Sequence, residues 1–330
     1  MAYLENRPSR FRLLFLWALV LLSGVSMGRS IDLVPLSRAL ETPDDIGPEQ
    51  ALEQFATSAG LIQGNTTFGF SQNYFWILID LPAEANTEKQ YFLDVDNPHI
   101  DNIRAYLVSV DTVMLLGQSG DRMPFAARTY KNRSNVFPVH FKTPEDQLLL
   151  FVDKRNASVF VPIVLWESAE FLQYDVGLYM TYGFYFGMLL IIMLYSLLIY
   201  LTQRAPIYLW YLIYVVSLFL YTFTYVGFGF QYLFPEQFQW NNYSRLILIV
   251  VIVISQIKFT QLFLPIRSIQ KWVNRGFQLV MLSLALILAW WIIVPGLYTA
   301  YTILVINSIY ALVGVTLVLI TVALVLSWEV

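Results

Sequence analysis

Two hydrophobic patterns divide the chain. Between residues 74 and 166, short runs rich in β-branched and aromatic residues are broken by turn formers such as Pro82, Asn97-Pro98, Gly117 and Gly120. These runs predict strands at about 74–81, 91–95, 102–110, 112–116, 136–141, 148–152 and 159–166. Short strands at this spacing, with no helical pattern alternating between them, predict a β-sandwich rather than a doubly wound fold. The preceding stretch, 37–59, is polar and carries a short helical pattern after Gly47. Beyond Val176 the apolar runs lengthen to roughly the 20 residues that cross a bilayer. Five membrane helices are predicted, at about 178–201, 207–226, 246–264, 277–294 and 301–326.

Charge follows the same division. Residues 29–175 carry 11 basic and 20 acidic side chains, whereas 176–330 carry six and two. Charged groups are costly in hydrocarbon, so the change near Asp175 marks a passage from water to lipid. The chain therefore reads as a signal peptide at 1–28, an exported β-sandwich domain at 29–175 and a five-helix membrane domain at 176–330. The signal reading rests on Arg7, Arg10 and Arg12 before the apolar run 13–22, with Ser26 and Gly28 at small-residue cleavage positions. Arg204, Arg267, Lys271 and Arg275 fall on one side of the predicted bundle, and Arg245 falls on the other. The positive-inside rule puts the first group in the cytoplasm and the sandwich outside, as the signal sequence requires.

The candidate chemistry is sparse. With no cysteine and only His99 and His140, no metal site is expected and nothing calls for a cofactor. No basic block points to nucleic acid, and no nucleophile–base pair points to an enzyme. A run with the pattern G-D-x-x-P-F-x-x-R covers Gly120, Asp121, Pro124, Phe125 and Arg128. Two readings stand for it. Asp121 and Arg128 bind hydroxyls or a carboxylate while Phe125 or Tyr130 offers a stacking face, or an Asp–Arg pair of these two fixes the loop with Phe125 in the core. Trp76 likewise reads as a sugar platform or as core, and Arg133 as the rim of a site or a solvated strand end. The candidate ligand-binding set is thus Trp76, Asp121, Phe125, Arg128, Tyr130 and Arg133. Asp94, Asp96 and Asp101 cluster about a turn without the spacing of a calcium loop.

Four stretches then carry a resemblance: GFSQNYFWILIDL (69–81), YFLDVDNPHIDNIRAYLV (91–108), GDRMPFAARTYKNRSNVFPV (120–139) and LLLFVDKRNASVFVPIVLWE (148–167). In this order they resemble the type 2 extracellular domain of bacterial seven-transmembrane receptors with diverse intracellular signalling modules. The membrane part is similar to that family's through residues 183–221 and GFGFQYLFPE (227–236). The resemblance implies a jelly-roll-like sandwich, followed by a multi-pass α-helical membrane domain. It implies a location in the bacterial inner membrane with the sandwich in the periplasm. The implied partners are a small-molecule ligand, often carbohydrate, the lipid bilayer, and a second copy or partner receptor. It further implies seven helices and a cytoplasmic output module. Five helices are read here, so two helices and the output are expected outside this chain. The rival expectations are an exported protein-interaction domain on a membrane anchor and, less favoured by the few polar residues in the spans, a transporter or channel.

Overall fold

A computed structural model describes residues 30–57, 61–82, 85–110, 112–155, 157–264, 271–293 and 302–328. The expected signal segment and Arg267, one of the residues used for topology, lie outside the described residues. The first part is a sandwich of antiparallel strands. One sheet has the order β1-β12-β6-β9, built from Ser30–Asp32, Ile163–Glu167, Tyr91–Val95 and Asn135–Val139. The other has the order β3-β2-β5-β10-β7-β8, built from Ile62–Gln63, Ser37–Thr42, Tyr74–Asp80, Gln147–Asp153, Asn102–Ser109 and Thr112–Ser119. A ribbon of β4 (Thr67–Ser71) and β11 (Ala157–Phe160) stands beside them. Helix α1 (Pro48–Thr57) covers the outer face of the larger sheet.

The strand sequences explain this layering. Along β5 the side chains of Phe75, Ile77 and Ile79 enter the core between the sheets, while Trp76 and Leu78 point outward beneath Ala51 and Phe55 of α1. Its partner β10 repeats the division, with Leu148, Leu150 and Val152 inside and Leu149 and Phe151 under the helix. A strand covered on both faces needs apolar residues at every position, which is why YFWILID shows no alternation. On the smaller sheet, Leu93, Phe137, Ile163 and Leu165 face inward, and Phe92, Val136, Val164 and Trp166 face outward.

The expected strand at 159–166 is two strands in different sheets. Pro162 has no N–H to continue a ladder, and the chain changes sheet there. Four short elements, β1 to β4, occupy sequence too polar or too brief to announce itself. The strand β2 (SRALET) is held in register with β5 from Ser37↔Ile79 to Thr42↔Tyr74.

Five helices among the described residues are long and apolar enough to cross a membrane. They are α2 (Ser168–Gln203), α3 (Pro206–Tyr225), α4 (Phe238–Phe263), α5 (Lys271–Ile293) and α6 (Thr302–Trp328). The first begins ten residues before the span predicted from about 178. Its 36 residues span roughly 54 Å at 1.5 Å per residue, against a hydrocarbon core of about 30 Å. The surplus lies on the sandwich. Ser168 donates from both its backbone N–H and its hydroxyl to the Gln90 carbonyl, at 3.0 and 2.9 Å, so the helix starts directly from β12. At the far end Arg204 takes a left-handed φ of 53°, and Pro206 opens α3 two residues later. On α2, a Cβ at Gly183 or Gly187 would meet no neighbouring element within 4 Å among the described residues.

Candidate functional site

Five of the six candidate ligand residues come together, at the seam where the sandwich meets the membrane helices. The connection from α3 to α4, including a short π-helix at Gly229–Leu233, folds back onto the sandwich. The Phe125 N–H donates to the Pro235 carbonyl at 2.8 Å, and the Phe125 ring meets Phe230 edge-on with centroids 5.6 Å apart. His99 Nε2 lies 2.7 Å from the Tyr225 carbonyl oxygen, which makes it the donor. Gly227 has φ +96°, and a Cβ there would stand 2.7 Å from the Arg133 carbonyl oxygen and 3.0 Å from Pro98. Only glycine meets both conditions, the positive φ and the close approach.

Arg128 is the buried centre of its loop. Its Nη1 donates to the carbonyls of Asn132 at 2.7 Å, Ser134 at 3.1 Å and Arg133 at 3.4 Å, and Nη2 to that of Gly120 at 3.4 Å. Its guanidinium also lies over the rings of Phe125 and Phe230, at 5.2 and 5.0 Å. Burial lowers its pKa to about 10, so it stays charged at neutral pH. The expected Asp–Arg pair is replaced by this set of carbonyls. Asp121 is fully buried, and neither carboxylate oxygen has a hydrogen-bond partner among the described residues. Burial raises its pKa, with the positive charge of Lys154 the first of the opposing influences. Lys154 itself bonds to Asp101 at 2.8 Å.

Arg133 is 4% exposed, which overturns its reading as a solvated strand end. It pairs with Asp96 at 2.9 Å, donates to the Val226 carbonyl at 3.4 Å and lies 5.5 Å over the Tyr182 ring of α2. A single side chain therefore touches the sandwich, the α3–α4 connection and the first membrane helix. Tyr130 is half-buried and packs against Phe92 and Phe171, with ring centroids 4.9 and 6.0 Å apart. Trp76 lies away from this group, fully buried beneath α1 against Tyr106 and Phe151, so its ring offers no open face.

The seam continues under the start of α2. Phe171 is 1% exposed and caps Phe92, Val136 and Trp166, while Tyr174 stacks on Trp166 at 4.4 Å. Asn132 Nδ2 donates to Asp175 Oδ1 at 2.9 Å, fastening the loop of Arg128 to the helix. Sequence reasoning missed Asn132, Phe171, Tyr174, Gly227 and Phe230. The only signal was GFGFQYLFPE itself, an aromatic, glycine-rich connection between two spans where a polar loop is usual. The arrangement holds no catalytic constellation among these residues. It can pass a displacement of the sandwich loops to three membrane helices.

Comparison with known families agrees with this division. Residues 37–167 match the family described as 7TMR-DISM extracellular 2, and residues 178–329 match that described as 7TM diverse intracellular signalling. No curated protein matches the chain.

Proposed function

Because this chain belongs to the seven-transmembrane receptors with diverse intracellular signalling, we propose that its sandwich senses a small ligand outside the cell's inner membrane and moves the membrane helices in response. The observation that carries this reading is the double attachment of the sandwich. It runs without a linker into α2, and its loops grip the α3–α4 connection through Phe125, Arg128 and Arg133. A domain that only displayed a binding surface would need a tether and no such grip.

In this reading Asp121, Phe125, Arg128, Tyr130 and Arg133 form the contact that a ligand perturbs. A ligand acts by preferring one of two dockings of the sandwich on the bundle, since it shifts an equilibrium only by its differential affinity for the two states. Carbohydrates and carboxylate-bearing small molecules suit the arginine and aromatic chemistry of these loops. The sandwich and the α3–α4 connection share one side. Arg204 and Lys271, at the helix ends away from it, carry the positive charge expected in the cytoplasm. The sandwich is then periplasmic in a bacterial inner membrane.

The test is a thermal-shift panel of sugars and small carboxylates on the full chain in lipid nanodiscs, with Arg128→Lys alongside. A ligand that raises the wild-type midpoint and fails on the variant supports the reading. A panel without effect on the wild type removes the sensing claim.

A further inference from the structure

Asp94 lies on β6 between Leu93 and Val95, both of which enter the sandwich core. Its carboxylate therefore points to the other face of the sheet, the face that α2 covers. There it is 3% exposed and accepts a 2.8 Å hydrogen bond from the Ser134 hydroxyl. The groups around it come from three places. Asp96 lies just past the end of the same strand, and Asn132, Arg133 and Ser134 belong to the loop before β9. From α2 come Tyr174 and Asp175. Arg133, the cation at hand, is engaged with Asp96. The site thus gathers three carboxylates, of Asp94, Asp96 and Asp175, around one guanidinium at the point where the sandwich is clamped to the first membrane helix.

We propose that this seam is a proton-operated clasp, in which a proton held on Asp94 keeps the first turns of α2 seated on the sheet and its loss loosens them. Burial is the main reason the carboxyl holds its proton, and the charge of Asp96 adds to it. Ser134 and Arg133 oppose them, and the balance lies at about 7. An ordinary aspartate titrates at 3.8. Since the seated form binds the proton more tightly, seating is favoured fully below the ordinary value and weakens as pH rises toward about 7. Above that both forms are ionised and the weakening is complete. His99, the usual kind of group for a switch near neutrality, does not serve here. It is half-buried overall, yet Nδ1 is closed off without a partner among the described residues, and burial holds the ring well below its usual range.

The clasp is read on the full chain in lipid nanodiscs without any ligand, so it stands or falls separately from the sensing proposal. Infrared difference spectra between about pH 5 and about pH 9 report whether Asp94 titrates, through the carbonyl stretch of a protonated acid. Hydrogen exchange of residues 168–178, corrected for intrinsic rates, reports how firmly α2 is seated. Protection in the wild type is expected to fall by about tenfold or more between about pH 5 and about pH 7 and then level off. In Asp94→Asn both the infrared band and the pH dependence of protection are expected to vanish. Asp96→Asn, which removes a repelling charge and frees Arg133, is expected to lower the midpoint, and it provides the test if Asp94→Asn fails to fold. Protection that is flat across the range, or a wild-type dependence retained in Asp94→Asn or left at the same midpoint in Asp96→Asn, overturns the clasp.

Discussion

Arg128 holds its loop with one rigid fork of donors. Four carbonyls, of Gly120, Asn132, Arg133 and Ser134, converge on it, and two aromatic rings flank it. Arg128→Ala leaves those carbonyls buried and short of partners, at about 1–3 kcal/mol for each group fully lost. The full chain is expected to lose about 3 kcal/mol or more, read as a lower unfolding midpoint in calorimetry. Arg128→Lys is expected to recover part of the loss, because an ammonium does not span the same set of acceptors. The sequence pattern around Arg128 announced a polar structure but not its acceptors. Backbone carbonyls carry no sequence signature, so an Asp–Arg pair was the natural expectation, and Asp121 instead lies buried without a hydrogen bond among the described residues. Arg133 misled for a related reason: its burial comes from Asp96, Val226 and Tyr182, the last two from far along the chain.

At the scale of elements, α2 does two jobs along one axis. Its early turns are a lid on the smaller sheet, through Phe171 and Tyr174, and its later turns cross the bilayer. The hydropathy change near Asp175 marks where the helix leaves water, and it hides the fact that the helix is already eight residues long there. SAEFLQYD reads as polar sequence because one face of those turns is solvated; Phe171 and Tyr174, three apart, lie on the other. Phe171→Ala empties a fully buried position and is expected to cost about 3 kcal/mol. Its effect concentrates in the seam, so hydrogen exchange of 168–178 is expected to rise more than that of β5 or β10. The strands that were legible are those whose faces are both covered or strictly divided, such as β5, β6 and β7. The illegible ones, β1 to β4, take their conformation from neighbours rather than from their own residues.

For the molecule as a whole, the sandwich is joined to the bundle by a covalent path through α2 and a packed path through the α3–α4 connection. The first was readable, since the expected exported domain ends at Asp175 and the first expected span begins at about 178. The second was not. It depends on Gly227 fitting between Arg133 and Pro98 and on Phe230 meeting Phe125, contacts between segments about a hundred residues apart. With only the first path the sandwich pivots on one helix. With both, a tilt of the sandwich strains α2 against α3 and α4, which is what a transmitter requires.

The most direct test of this double attachment uses the absence of native cysteine. Single cysteines at the exposed positions Lys131, on the sandwich, and Gln237, on the α3–α4 connection, accept spin labels for a pulsed distance measurement in nanodiscs. One narrow distance distribution is expected in this otherwise wild-type chain. A broad one is expected when Gly227→Ala, whose Cβ would press on the Arg133 carbonyl at 2.7 Å, breaks the packed path. A broad distribution before that substitution, or a narrow one that survives it unchanged, would rule out the double attachment.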